Sequence, residues 1–115
     1  MEVYFRYVNT ADGLKDALDD LRRSDIPGFD TETTELDPYR GELRLVQLSE
    51  GKNSHVIELR AFASNGSLHG NEQLAPLYDL LSDPTRTKIA HNAKFDAKWA
   101  RHHLGCEVNG SFDTY

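Results

Sequence analysis

Asp30 and Glu32 stand two residues apart, directly after the apolar entry Ile26-Pro27-Gly28-Phe29. Side chains alternate between the faces of an extended strand, so both carboxylates point the same way. Like charges held close together repel, and a cation between them relieves the repulsion. Carboxylate oxygens are hard ligands that suit Mg²⁺ or Mn²⁺. The spacing therefore points to a divalent-metal site at the end of a buried strand. A second constellation is His91-Asn92-Ala93-Lys94-Phe95-Asp96. Asn92 and Asp96 are one helical turn apart and share a face. Asp96 near a helix N-terminus is also well placed against the helix dipole. Each feature has a plain alternative: two exposed acids at a strand end, a solvated helix acid at Asp96, and an ordinary helix cap at Asn92.

These segments need elements to carry them. Residues 3–8 are aromatic and β-branched and predict a strand. Thr10 or Asp12 opens a helix in which Leu14, Ala17, Leu18 and Leu21 recur at helical spacing, with Arg22 and Arg23 in its last turn. Residues 26–31 are the next strand, and Asp37-Pro38-Tyr39-Arg40-Gly41 is a turn. Residues 43–48 alternate and pair through a tight connection at 50–53 with a returning strand at 55–59. Residues 60–71 are the most loop-like stretch. Leu74, Leu77, Tyr78 and Leu81 mark a second helix, and Pro76 is comfortable only in its first turn. Residues 87–91 form a short strand. Asn92 caps a third helix that runs to Leu104 and is ended by Gly105. A last strand begins near Phe112. The order β α β β β α β α β, without repeat or linker, implies an α/β mixed sheet with helices on its faces.

At 115 residues the chain is one domain. Its net charge of −6 argues against a broad duplex-binding surface, which would be basic, but not against a narrow site that grips a strand end through metal ions. The single cysteine, Cys106, allows no internal disulfide and fits a reducing compartment. The N-terminus has no signal-peptide pattern, so the expected address is cytoplasmic.

Taken together, the two segments resemble motifs I and II of the 3′–5′ exonucleases of the ribonuclease H-like superfamily, the type found in family A DNA polymerase proofreading domains and in ribonuclease D. The match runs through Asp30, Thr31, Glu32, Thr33, Leu36 and Asp37, then His91, Asn92, Lys94, Phe95 and Asp96. The resemblance implies a ribonuclease H-like mixed sheet and a two-metal phosphodiesterase that uses Mg²⁺ or Mn²⁺ on the 3′ end of single-stranded DNA or RNA. By this resemblance Asp30 bridges both ions, Glu32 binds the ion that activates water, and Asp96 acts at the second ion. Thr31, largely by its backbone, and Leu36 touch the terminal nucleotide, and Asn92 supports the strand or the metal shell. The family also carries a third motif, Y-x-x-x-D, which does not occur after Asp96. The expectation is therefore that residues 1–115 are a partial exonuclease domain lacking its C-terminal part. It should be weakly active or inactive by itself, with an uncovered sheet face through which it could pair with a second copy. The rival reading is a catalytically dead binding or interaction module of the same fold. Trp99 reads as core, Lys94 and Lys98 as a solvated face, and Cys106 as unreactive.

Overall fold

The computed structural model describes residues 4–21, 27–33, 43–50, 53–62, 68, 71–90 and 93–113. The elements are β1 (Tyr4–Val8), α1 (Ala11–Leu21), β2 (Gly28–Thr33), β3 (Leu43–Glu50), β4 (Asn53–Glu58), α2 (Ala75–Ser82), β5 (Lys88–Ala90), α3 (Ala93–Leu104) and β6 (Ser111–Asp113). This is the order expected from the sequence. The stretch expected as loop differs: Leu59–Phe62 closes into a 3₁₀ turn because Leu59 and Phe62 are both buried in the core. A second 3₁₀ turn, Glu72–Leu74, leads into α2, and Pro76 falls at its start. Arg22 and Arg23 lie outside the described residues, and α1 ends at Leu21.

The strands form a single six-stranded sheet in the order β1-β4-β3-β2-β5-β6. β3 runs antiparallel to both of its neighbours, and the remaining pairings are parallel. The connections through α1, α2 and α3 all step toward the β6 edge. Crossovers between parallel strands are right-handed, so all three helices fall on one face. Burial follows this face for face. Val8, Phe29, Val46, Leu48, Ile57 and Ala90 are at most 4% exposed, whereas Phe5, Tyr7 and Ile89, on the alternate register, are exposed. The three described helices thus share one face of the sheet. No helix among the described residues is long and apolar enough to cross a membrane.

Local chemistry sets the element ends. The Thr10 hydroxyl accepts from the Gly13 N–H at 3.0 Å and caps α1. Gly105, at φ 66°, ends α3, since a left-handed residue is cheap only for glycine. Leu14, Ala17, Leu18 and Leu21 of α1 join Leu77, Leu80 and Leu81 of α2 and Trp99, Ala100 and Leu104 of α3 in one core. Trp99 also stacks on His103 one turn later, with ring centroids 4.9 Å apart. Lys88 on β5 is fully buried, and its Nζ donates to the carbonyls of Asp83 and Asn109 at 2.6 Å each. Burial pulls the Lys88 pKa below the usual lysine value, against the opposing pull of Asp83. The ammonium joins the chain before β5 to the chain before β6, and so holds in place the strand that leads into α3.

Candidate active site

β2 lies inside the sheet, between β3 and β5. Its register pairs Asp30 with Gln47, Thr31 with Val46 and Glu32 with Leu45, and an irregularity follows Glu32. Such bulges bend a strand and re-aim its side chains. Asp30 and Glu32 are exposed, and Thr31 between them is 9% exposed. The two acids therefore share the open face, as their spacing predicts, and Thr31 faces the helices. The Thr31 N–H donates to Asp30 Oδ1 at 2.9 Å and so orients that carboxylate. Beside it a cleft of about 250 Å³ is lined by Gly28, Phe29, Asp30, Gln47, Ser49 and Ile89. A Cβ at Gly28 would meet Ser49 Oγ, which would have to turn aside.

Asp96, in the first turn of α3, is only 2% exposed. Its Oδ1 accepts from Thr31 Oγ1 at 2.5 Å. The second motif thus meets the first at the residue between its two acids, with 65 positions of sequence between the bonded residues. The contact lies on the helix side of β2, while Asp30 and Glu32 stand on the other side. Among the described residues neither Asp30 nor Glu32 takes part in an ion pair. Leu36, Asp37, His91 and Asn92 lie outside the described residues. The readings of Leu36 as a nucleotide contact and of Asn92 as a support for the shell stand there as expectations.

The one group of three ligand-type side chains that converges among the described residues was not anticipated, and it does not include Asp30, Glu32 or Asp96. Asp20, Glu50 and His55 bring their donor atoms within 4.8 Å of one another. No local spacing could signal it, because α1, β3 and β4 each contribute one residue. The group is knit from within. Arg6 lies 2.8 Å from Asp20, and His55 Nε2 lies 3.3 Å from Glu50 Oε1. With the Arg6 guanidinium already on Asp20, this group is a polar cluster that ties β1 and α1 to the hairpin, beside a cavity of about 350 Å³. Cys106 behaves as expected: burial, with Glu107 nearby, pushes its thiol up to about 11.

Comparison with known proteins adds a lineage to this geometry. Residues 5–115 match the family model described as 3′–5′ exonuclease. DNA polymerase I of Aquifex aeolicus is 33% identical over 110 residues, which make up 96% of this chain and 16% of that protein. NrnC of Brucella melitensis, solved with bound Mg²⁺, is 29% identical with a TM-score of 0.68, covering 99% of this chain and 50% of that one. Trypanosoma brucei RNase D in complex with RNA U12 superposes with a TM-score of 0.78 at 19% identity, over 96% of this chain and 37% of that one, and so attests the fold. The chain spans half or less of each of these proteins. With the motif acids on neighbouring elements and the family model matched across nearly the whole length, the chain belongs to the 3′–5′ exonuclease family and carries its ribonuclease H-like fold.

Proposed function

We propose that this chain forms the metal-binding part of a 3′–5′ exonuclease domain that hydrolyses phosphodiester bonds at the 3′ end of single-stranded DNA or RNA. The observation that carries the reading is the contact of Asp96 with Thr31, which brings the acid of the second motif against the strand that bears Asp30 and Glu32. The donor set fits Mg²⁺ or Mn²⁺, being hard oxygens with two exposed acids on one face and no cation paired to them among the described residues. Asp30 and Glu32 would hold the ion on the open face, and Asp96 would add charge from the other side of β2. A bound ion would supply a water of lowered pKa and stabilise charge on the departing oxygen. The work of the chain itself is positioning. Pairing with β3 along its length, and with β5 at Gly28, holds β2, the Thr31 N–H orients Asp30, and Thr31 Oγ1 holds Asp96.

The acid and tyrosine of a third motif are not among these residues, so activity of the 115-residue chain should be weak or nil. The open face, with Phe5 and Tyr7 exposed, is where further helices or a second copy would pack. The test is calorimetric titration with Mn²⁺, paired with 3′-end trimming of labelled single-stranded DNA and RNA. Binding that Asp30→Ala abolishes supports the reading. Binding that survives Asp30→Ala refutes it. Metal binding without trimming, even with the remainder of an exonuclease domain restored, would favour the rival binding module.

A further inference from the structure

We infer that the Thr31 side chain is a positioning residue: its hydroxyl clamps the Asp96 carboxylate to β2 and thereby sets the relative placement of all three motif acids. This deepens the proposed metal site and rests on it. The family resemblance assigned Thr31 a role through its backbone, and the geometry gives the side chain a separate one. Thr31 is the middle residue of the Asp30-Thr31-Glu32 triplet, so alternation carries its side chain to the helix face while its neighbours stay on the open one. There Oγ1 meets Asp96 Oδ1 at 2.5 Å, with Thr31 9% and Asp96 2% exposed. An ionised carboxylate only accepts, so the hydroxyl must donate. Bonds from a hydroxyl to a carboxylate are short, about 2.5–2.7 Å, and this one sits in that range. A buried carboxylate needs such donors, since a charge moved out of water without them is costly.

The residue type suits the task. Threonine is β-branched and stiff at χ1, so the strand backbone dictates where the hydroxyl points. β2 is paired with β3 along its length and with β5 at Gly28. The Thr31 N–H orients Asp30 on that strand, and Glu32 stands on the same face. A bond from the same strand to Asp96 ties the third acid to the backbone that carries the other two. Valine has nearly the shape of threonine and no donor. Serine keeps the donor and loses the branch.

These properties define the experiment. Mn²⁺ affinity of the 115-residue chain is measured by calorimetry and by electron paramagnetic resonance for the wild type, Thr31→Val, Thr31→Ser, Asp96→Asn and the double variant Thr31→Val/Asp96→Asn. Thermal midpoints are recorded in parallel. Removing a group that supports a metal site from beyond its ligands typically weakens affinity about 10–100-fold, and with Asp96 acting from behind β2 the low end of that range is expected. Thr31→Val should lose about tenfold and Thr31→Ser no more than about threefold by the same reasoning. The double variant should bind no worse than Asp96→Asn alone, because the clamp has nothing left to hold. Thr31→Val binding like the wild type, while Asp30→Ala abolishes binding, would overturn the clamp and leave the metal site standing. Loss in Thr31→Ser equal to that in Thr31→Val would also overturn it, by showing that packing matters and the hydroxyl does not. A wild-type chain that binds no Mn²⁺ would remove both the clamp's purpose and the metal reading.

Discussion

On the helix side of the sheet Val8, Phe29, Leu48 and Ile57 are each at most 4% exposed. One residue along the same strands, on the other side, Phe5 is 70% and Tyr7 60% exposed, and Asp30 and Glu32 face solvent. The same six strands therefore make two surfaces with different duties. The covered one removes apolar area from water, at roughly 25 cal/mol per Å². Charged groups enter it only with dedicated partners: Lys88 has two carbonyls and Asp96 has the Thr31 hydroxyl. The open face keeps two acids hydrated and close together, the state from which a cation can be bound at little desolvation cost. Stability and chemistry are thus separated by one step of the strand pleat, and substitutions on the two faces should have different readouts.

The largest expected effect is on the covered face. Trp99→Ala, at a fully buried position, should cost about 3–5 kcal/mol of unfolding free energy in urea titrations. A loss under about 1 kcal/mol would mean that α3 contributes little to the core.

Asp30→Ala should do the reverse, abolishing Mn²⁺ binding while stability changes by no more than about 0.5 kcal/mol. If instead the fold collapses and binding in the residual native protein is intact, the division between the faces is wrong.

Gly28→Ala probes the seam between the faces. A methyl at this site meets Ser49 Oγ, which can turn to another rotamer, so a cost of no more than about 1 kcal/mol is expected. Ser49→Ala in the same chain should restore most of it, because the next nearest atom, Ser49 Cβ, is at an ordinary 3.7 Å. Failure of that rescue would place the strain elsewhere.

Tyr7→Ser, on the open edge strand, should shift stability by less than about 0.5 kcal/mol. A larger loss would show that the open face is covered in solution, and sedimentation of the wild type would then reveal the cover.

The smallest effect concerns pH. Burial lifts the Cys106 thiol from 9.0 to about 11, so its folded-state pKa lies above the unfolded one. The stabilisation is complete below pH 9 and is lost as pH rises toward about 11, where the unfolded thiol ionises first. Lys88 acts in the opposite sense, because its lowered pKa makes stability rise with pH as that ammonium is relieved. The difference between wild type and Cys106→Ala across this window isolates the thiol. A flat difference would mean that the thiol is hydrated.

Several features were legible because they depend on local spacing. The 3.6 period of Leu14, Ala17, Leu18 and Leu21 specified α1, and the alternation at 43–48 specified β3, which extends to Glu50 because its partner Asn53 already belongs to β4. β2 was expected over 26–31 and runs over Gly28–Thr33, because pairing with β3 carries it through Glu32. Leu59–Phe62 was hidden because a single 3₁₀ turn has too few residues to show a period. The polar cluster of Arg6, Asp20, Glu50 and His55 was invisible because its members meet only when β1 aligns on β4, with Arg6 opposite His55.

The sequence by itself determined the element order, the shared face of Asp30 and Glu32, and the two motifs that mark the family, since pleat and helix periods act over a few residues. Only the tertiary structure decided that the three described helices lie on one side of the sheet, because crossover handedness is a property of connected strands and not of any one of them. Only it decided which face Asp96 reaches, and that Thr31 meets it, because a bond across 65 residues depends on how α3 lands on β2.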